Sequence, residues 1–330
     1  MRVVFIQGGG IGLDQAPAVQ RILAAAGVDL EWQVYEAGLA ALEQGREPLP
    51  AELLAAVRAS GFALKSKLLN PPGGDYPNFN VQLRRELGLF ASVRPLRNLP
   101  GLPARFRDVD ILLIREISED LYAAIEHEIV PGVVQSLKVV TEAACQRFFR
   151  FAFDLARRQG RRSIHCIHKA NILKLADGLF LDVFRATARA YPEITTKELI
   201  VDNCCMQLVT KPHQFETLVA GNLYGDLLSD LGAGLIGGIS ATAGINHGAG
   251  VTVYEAIHGG RREEVGIDRA NPLPLLFPAL AMIRDLGYEA HANRIQKAVE
   301  AVLTAGKVRT PDLGGTAGTT AMAEAIIAAL

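Results

Sequence analysis

Short apolar runs and segments of helical periodicity alternate along this chain. The strand-like runs are residues 2–7, 31–38, 108–116, 127–141 and 163–174. After a glycine-rich turn, apolar residues at helical spacing predict a helix that runs to about Ala26, and the same spacing recurs at 51–60, 83–87 and 142–160. Two further helices are expected near the end of the chain. Strands that alternate with helices predict an α/β fold with a largely parallel sheet.

The stretch from residue 201 to 230 holds the densest candidate chemistry. We expect it to form a strand, a loop, a second strand and then a helix that opens near Gly225. Asp226 and Asp230 lie four residues apart, so on a helix they share one face. Because apolar residues flank them, a bound divalent cation is one interpretation. The other is a pair of acids that complements the helix dipole, and the spacing alone leaves both open.

Three arginines are spread over the segment from 84 to 115. Guanidinium groups bind carboxylates through a bidentate fork, so Arg84, Arg94 and Arg115 would suit a tricarboxylic anion if they converged. Taken singly, an arginine in such a position is more often a surface or ion-pair residue. Convergence is therefore the feature that a structure has to show.

The opening strand ends in a glycine-rich turn, QGGGIGLD, and a helix follows it. This order invites a dinucleotide-binding interpretation, but the pattern does not fit GxGxxG because Leu13 stands where the third glycine belongs. A tight turn is the simpler explanation.

Composition and charge exclude several function classes. The 330 residues are 49% hydrophobic with a formal net charge of −1, which is enough for a full core and two lobes. The chain has no run of basic residues interleaved with aromatic residues, so nucleic-acid binding is not expected. Residues 231–254 carry no Asp, Glu, Lys or Arg, but seven of them are glycine. A buried, close-packed segment is thus favoured over a membrane span, and no membrane contact is expected.

The cysteines and the N-terminus bear on the compartment. Cys145, Cys166, Cys204 and Cys205 show no CxxC spacing, which favours reduced, buried thiols over disulfides or zinc. The opening MRVVFIQ lacks the apolar core and cleavage site of a signal peptide. These observations predict a cytoplasmic protein.

The segment NLYGDLLSDLGAGLIGG, which contains both aspartates, resembles the metal-binding segment of the isocitrate and 3-isopropylmalate dehydrogenase family. The resemblance implies that Asp226, Asp230 and the upstream Asp202 hold Mg²⁺ or Mn²⁺ against the substrate. It covers nearly the whole chain and implies the family's two-lobed fold, with residues 1–97 and 251–330 in a large cofactor-side lobe and 98–250 in a central lobe. It also implies an intertwined homodimer, whose shared sites take Lys169 and Asp202 from the second subunit.

Other segments resemble the family's substrate-binding motifs. NxxLR, VRP and REISEDLYAAIEH look like those of isocitrate dehydrogenases, and HKANILK looks like the family's VHKANIMK. The resemblance implies Tyr122 as the catalytic acid and Lys169 as the base, while His168 is expected to be packed or hydrogen-bonded. The residues that would bind the substrate's carboxylates are Asn80, Arg84, Arg94 and Arg115.

Two positions depart from the pattern of isocitrate-specific members. Those enzymes usually carry Ser at position 78, next to the substrate's γ-carboxylate, and Thr at position 70, near the nicotinamide. This chain has Asn78 and Asn70 instead. An amide can donate to a carboxylate but is larger than a hydroxyl group. We expect Asn78 to bind the substrate and Asn70 to bind the cofactor. The sequence does not identify the chemical group at C3 of the substrate.

The last third of the chain resembles the family's dinucleotide-binding segment. The loop HGGRREEVGI stands where relatives carry HGTAPDIAGK, and Glu263 takes the place of an Asp found in NAD-preferring members. A carboxylate there accepts from the ribose 2′-hydroxyl and repels a 2′-phosphate, whereas Arg261 and Arg262 act in the opposite direction. NAD is expected, with NADP as the alternative. The residues expected at the cofactor are Asn70, Asn171, Glu255, His258, Glu263, Asn271 and Asp312.

The expected reaction is a metal-dependent, NAD(P)-linked oxidative decarboxylation of a 3-carboxy-2-hydroxy acid, isocitrate before others. One alternative is the same reaction on another 3-substituted malate, such as isopropylmalate, homoisocitrate or tartrate, because of Asn70 and Asn78. A second alternative is a non-catalytic regulatory subunit, because the nucleotide loop is unusual. The retained Tyr122, Lys169 and three aspartates argue against that alternative.

Overall fold

A computed structural model describes residues 1–73, 76–257 and 262–330. Ten of its strands form one sheet with helices on both faces, and two strands form a separate ribbon. The α/β fold with a mostly parallel sheet is confirmed. The predicted lobe boundaries, at residues 97–98 and 250–251, stay a prediction.

Six of the twelve strands that the structure describes fall in the apolar runs of the sequence, and the other six lie outside those runs. The twelve strands are β1 (Arg2–Gln7), β2 (Glu31–Glu36), β3 (Phe62–Lys65), β4 (Leu89–Arg97), β5 (Asp110–Glu116), β6 (Glu126–Val130), β7 (Val133–Ser136), β8 (Ser163–His168), β9 (Thr195–Ile200), β10 (Thr217–Ala220), β11 (Gly244–Gly248) and β12 (Thr252–Glu255).

The helices cover both faces of the sheet. They are α1 (Gly12–Ala25), α2 (Leu39–Leu42), α3 (Ala51–Ser60), α4 (Phe79–Glu86), α5 (Glu142–Arg158), α6 (Ala176–Ala188), α7 (Val201–Thr210), α8 (Asn222–Leu235), α9 (Leu273–Asp285), α10 (Glu289–Ala305) and α11 (Thr319–Ala328).

Two parallel blocks make up the large sheet, whose strand order is β2-β1-β3-β12-β11-β4-β5-β10-β8-β9. Strands β2, β1, β3 and β12 are parallel to one another, as are β5, β10, β8 and β9. Strands β11 and β4 join the blocks through three antiparallel pairings. Because the number of reversals is odd, the two blocks run in opposite directions.

Helices cover both faces of each block, although the edge strands β2 and β9 are partly or fully exposed. In β1, Val3 and Phe5 pack with α1 and α9–α11, whereas Val4 and Ile6 pack with α3 and α4. In the second block, α5 and α6 cover one face and α7 and α8 cover the other. A strand with apolar neighbours on both faces reads as a continuous apolar run, which is why these strands were visible in the sequence.

Four charged side chains interrupt the face that carries α4 and α8. Lys65 and Glu255 are register partners on the neighbouring strands β3 and β12. Arg94 and Arg115 lie on the adjacent strands β4 and β5. Since side chains alternate along a strand, all four point to the same side of the sheet, where the helices of the two blocks meet. This junction is where a polar site can form.

One local prediction was wrong. Asp202 does not lie on a strand but in the first turn of α7, and the following helix, α8, begins at Asn222 rather than near Gly225. The physical reason is the period of the apolar residues, because Cys204 and Leu208 are buried and lie four residues apart, as on one face of a helix.

The predictions on cysteines and membranes can also be compared with the structure. All four cysteines are free thiols, and Cys145, Cys166 and Cys204 are buried. Among the described residues, no helix has the length and apolar character needed to cross a membrane.

Candidate active site

A polar cavity of about 240 Å³ opens where α4 and α8 meet on the sheet. Every residue assigned to the substrate lines it, together with the expected catalytic acid and two of the three expected metal ligands. Those lining residues are Asn78, Asn80, Arg84, Arg94, Arg115, Tyr122, Asp226 and Asp230. The convergence that the sequence left undecided is therefore present.

Glu255 lines this cavity and is buried beside three cations. Its carboxylate is 3.0 Å from Lys65 Nζ, 3.3 Å from Arg84 Nη2 and 3.5 Å from Arg94 Nη2. Burial raises the pKa of Glu255, but the charges of Lys65, Arg84 and Arg94 outweigh that effect and hold the pKa well below its ordinary value. One carboxylate thus serves three cations, and the cavity keeps an excess of positive charge.

Lys65 is the member of this cluster that sequence reasoning missed. Its ammonium donates to Asn80 Oδ1 at 3.0 Å and to the carbonyl of Ser66 at 3.2 Å. Burial lowers its pKa to about 8, although Glu255 acts in the opposite direction. The available signal was a lysine at the end of the apolar strand FALK, where a charge needs a buried partner.

Arg115 connects β5 to helix α8. Its Nε and Nη2 donate to Asn222 Oδ1 at 3.0 and 2.6 Å, and Nη1 donates to Asp226. Tyr122 donates its hydroxyl to the other oxygen of Asp226 at 2.5 Å, and the guanidinium lies 4.9 Å from the tyrosine ring centroid. Burial and the hydrogen bond to Asp226 raise the pKa of Tyr122. The phenol therefore stays protonated at neutral pH, as a proton donor must be.

Glycine makes this approach of α8 to the sheet possible. A Cβ at Gly225 would lie 2.5 Å from Arg115 Cγ, and one at Gly232 would lie 2.3 Å from a methyl group of Leu96. Both distances are shorter than real Cβ contacts allow. The two glycines, seven residues apart, set how closely the helix that carries Asp226 lies on β4 and β5.

Gly225→Ala is expected to destabilise the protein by about 1–3 kcal/mol, because the helix or Arg115 must move. Gly234→Ala is the matched control in the same helix, since its Cβ would meet nothing within 4 Å. The control should be neutral or stabilising by up to about 1 kcal/mol. Urea unfolding of both variants measures the difference, and equal stabilities would show that α8 is free to shift.

The two asparagines that depart from the family pattern fix the entrance to α4. Asn78 is the N-cap of α4, and its Oδ1 accepts from the backbone N–H groups of Asn80 and Val81 at 3.0 and 3.3 Å. Asn70 donates to the Pro77 carbonyl at 2.9 Å and accepts from the Phe79 N–H at 3.2 Å. Because capping uses the carbonyl of Asn78, its NH₂ group is the part available to a ligand.

The third expected metal ligand lies elsewhere in the chain. Asp202 pairs with Lys169 at 2.6 Å, and neither residue lines the cavity. The hydrogen bond from Lys169 lowers the pKa of Asp202. Within residues 1–73, 76–257 and 262–330, no three His, Cys, Asp or Glu side chains form a group that could hold a metal ion. One chain thus offers two carboxylates of the three, and these hard oxygen donors fit Mg²⁺ or Mn²⁺ only if another chain completes the set.

The residues expected at the cofactor fall into separate groups. Asn271 donates to Asp312 at 2.8 Å, and Asp312 also accepts from Ser240 and Thr310 at 2.8 and 2.6 Å. Glu255 belongs instead to the ion cluster at the cavity. Asn171 and Glu263 are exposed. His258 lies outside the described residues.

The structure confirms the expectation that His168 is a packed, hydrogen-bonded histidine. It is buried at the end of β8, and its Nδ1 accepts from the backbone N–H of Ala170 at 3.1 Å. Burial lowers its pKa. A neutral, hydrogen-bonded imidazole here shapes the turn that leads to Lys169.

Relatives of known identity match almost the full chain. Regulatory subunit 1 of the mitochondrial NAD isocitrate dehydrogenase of Arabidopsis thaliana is 43% identical, over 99% of this chain and 89% of that protein. Catalytic subunit 5 of the same plant is 42% identical, over 97% of this chain and 86% of that protein. A crystal structure of isocitrate dehydrogenase from Methylococcus capsulatus has a TM-score of 0.94 and 41% identity, covering 99% of this chain and 98% of that chain.

These relatives correct one prediction and leave another untested. The prediction of a cytoplasmic protein is wrong, because the two plant relatives are named as mitochondrial subunits. The opening apolar run forms β1, and its lack of signal-peptide features did not decide the compartment. Since the names include both catalytic and regulatory subunits, the homodimer stays a prediction.

A family model for isocitrate/isopropylmalate dehydrogenases matches residues 2–326. One relative is 43% identical over 99% of this chain. The chain therefore belongs to the isocitrate/isopropylmalate dehydrogenase family.

Proposed function

We propose that this chain catalyses the metal-dependent, NAD-linked oxidative decarboxylation of isocitrate to 2-oxoglutarate. The observation that carries the proposal is the charge of the cavity, where Lys65, Arg84 and Arg94 share the single carboxylate of Glu255. Such an excess of buried positive charge suits a small anion with several carboxylates. The relatives named as NAD isocitrate dehydrogenase subunits support the same substrate and cofactor.

The arginines and Asn80 would bind and orient the substrate. Arg84, Arg94 and Arg115 present guanidinium groups to one cavity and can grip the carboxylates in fixed directions. Because each is anchored by Glu255 or Asp226, little rotamer freedom is lost on binding. This holds C2 and C3 of the substrate beside Tyr122.

Two chains would form each complete site. Lys169 and Asp202 pair away from the cavity, and apolar side chains near them are exposed, among them Ile172, Leu175 and Met206. Exposed apolar residues of this kind mark a surface that a partner covers. In a dimer of this chain, each copy would supply its Lys169 and Asp202 to the cavity of the other copy.

Proton transfers are assigned to Lys169 and Tyr122. Lys169 of the second copy would accept the proton of the C2 hydroxyl group as hydride leaves C2 for NAD. After CO₂ departs, Tyr122 would donate its proton to C3. Asp226 and Asp230 with Asp202 of the second copy would hold the divalent cation. When bound, the metal supplies Lewis-acid polarisation of the C2 oxygen, and NAD supplies the hydride acceptor.

A regulatory subunit is the second candidate function, and one observation favours it. Regulatory subunit 1 of the plant enzyme is 43% identical over 99% of this chain, as similar as the catalytic subunit. Against it stands the presence of Tyr122, Lys169, Asp202, Asp226 and Asp230, all of which the reaction uses. Activity of the purified chain alone separates the two candidates.

The test is turnover of the purified chain with isocitrate, homoisocitrate, 3-isopropylmalate and tartrate, each with NAD and NADP and Mg²⁺. We expect the highest kcat/KM with isocitrate and NAD, and complete loss in excess EDTA that added Mg²⁺ or Mn²⁺ restores. Full turnover in EDTA would contradict the metal assignment. No turnover of any malate would favour the regulatory subunit.

Asn78→Ser should keep or raise kcat/KM for isocitrate. Serine is also a good N-cap, so α4 should retain its start, and its hydroxyl group is the donor usual in isocitrate-specific relatives. Steady-state kinetics with isocitrate and 3-isopropylmalate provide the measurement. If the variant loses isocitrate activity by more than tenfold while its thermal unfolding is unchanged, the NH₂ group of Asn78 makes a substrate contact that serine cannot replace.

A further inference from the structure

Lys67 lines the same cavity but has no part in the reaction as proposed above. It lies two residues after the end of β3 and is half-buried. Its ammonium donates to the backbone carbonyl of Ile257 at 3.2 Å, at the end of the segment that precedes the nucleotide loop. The lysine therefore stands between the substrate residues and the cofactor segment.

The charge of Lys67 is not neutralised in the way that its neighbours' charges are. Arg84, Arg94 and Lys65 share Glu255, and Arg115 pairs with Asp226. Within the described part of the chain, no carboxylate forms an ion pair with Lys67. A half-buried ammonium with only a neutral acceptor retains N–H groups for a charged partner.

The backbone at Lys67 is held in place by the glycine turn after β1. A Cβ at Gly8 would lie 2.2 Å from the Lys67 carbonyl oxygen, and Gly8 N–H donates to Ser66 Oγ at 2.8 Å. Close packing of this turn fixes where the lysine side chain starts. Its flexible stem then reaches from a fixed base to the lining of the cavity.

We propose that Lys67 binds an anionic group of a bound ligand and thereby sets substrate specificity. This inference rests on the proposed function. It assigns to the lysine the terminal carboxylate of an acidic group at C3, so the enzyme would favour a malate with an acidic C3 group over one with an apolar group. The diphosphate of NAD has the same recognition chemistry and is the other source of such an anion.

Calorimetric binding without turnover tests the assignment. Tricarballylate, a tricarboxylate that cannot be oxidised, and NAD are titrated separately into wild type, Lys67→Met, Lys67→Arg and the control Lys297→Met. Lys297 is exposed on α10 and does not line the cavity. We expect Lys67→Met to weaken tricarballylate binding about tenfold, with NAD affinity unchanged within twofold and Lys67→Arg close to wild type.

Each other outcome has a defined meaning. If only NAD binding weakens, the anion is the cofactor's diphosphate, and the assignment of substrate specificity to Lys67 is wrong. If both affinities stay unchanged, or if Lys297→Met weakens binding equally, the inference is wrong. Failure of the wild type to oxidise any malate would refute the proposed function alone, because these binding measurements need no turnover.

Discussion

Glu255→Gln is expected to lower the free energy of unfolding by about 3–5 kcal/mol, the usual consequence of removing one partner from a buried ion cluster. The substitution keeps the shape of the side chain but leaves Lys65, Arg84 and Arg94 without their shared negative charge. Burying cations without a counter-charge is costly. Urea unfolding at a fixed protein concentration gives the difference.

Glu47→Gln is the matched control, because Glu47 is exposed and forms no ion pair among the described residues. Its effect should stay within about 0.5 kcal/mol. If both variants unfold at the same urea concentration, the three cations find solvent or other partners, and Glu255 is not their anchor.

The pH dependence of stability follows from the same cluster. The folded-state pKa of Glu255 lies well below its ordinary value, so the unfolded chain binds a proton at Glu255 more readily than the folded chain does. This contribution to stability is complete above the ordinary pKa of a glutamate, about 4.3, and is lost as the pH falls through the lower, folded-state value. The wild type should lose stability in that acidic range more steeply than Glu255→Gln.

Asp226→Asn is expected to lower kcat about 10³-fold, which is the size of effect seen when a positioned charge at a reaction centre is removed. Asp226 accepts from Tyr122, pairs with Arg115 and is a proposed metal ligand. An amide keeps the shape but provides one oxygen and no charge. Steady-state kinetics across a range of Mn²⁺ concentrations should show both a lower kcat and a higher half-saturating metal concentration.

Asp29→Asn, at an exposed position before β2, is the control and should match the wild type. Wild-type kcat and metal dependence in Asp226→Asn would remove this carboxylate from the mechanism. Unchanged metal dependence with low kcat would instead limit its role to positioning Tyr122 and Arg115.

Local patterns in the sequence predicted those features that depend on near neighbours. The four-residue spacing of Asp226 and Asp230 was enough to place both on one helix face, because helix geometry is local. The alternation of strand-like and helical segments predicted an α/β fold with a largely parallel sheet. The convergence of the arginines, by contrast, came from resemblance and not from spacing.

The Lys65–Glu255 pair could not be found by such patterns. The two residues are register partners only because β12 inserts beside β3 in the sheet, although the whole central segment of the chain separates them in sequence. Strand order of this kind is a property of tertiary packing, which single-residue patterns do not encode. For the same reason Glu255 was assigned to the cofactor by motif, whereas its neighbours in space are the substrate residues.

The single sheet that both blocks share limits how the cavity can change its width. Helix α4 packs on the first block and α8 on the second, and strands β11 and β4 join the blocks by hydrogen-bond ladders, with one register shift between His247 and Gly248. A hinge located within the sheet would break hydrogen bonds of those ladders. A change in the width of the cavity would therefore require torsion of the central strands, and the elasticity of the β-sheet backbone would contribute to its free-energy cost.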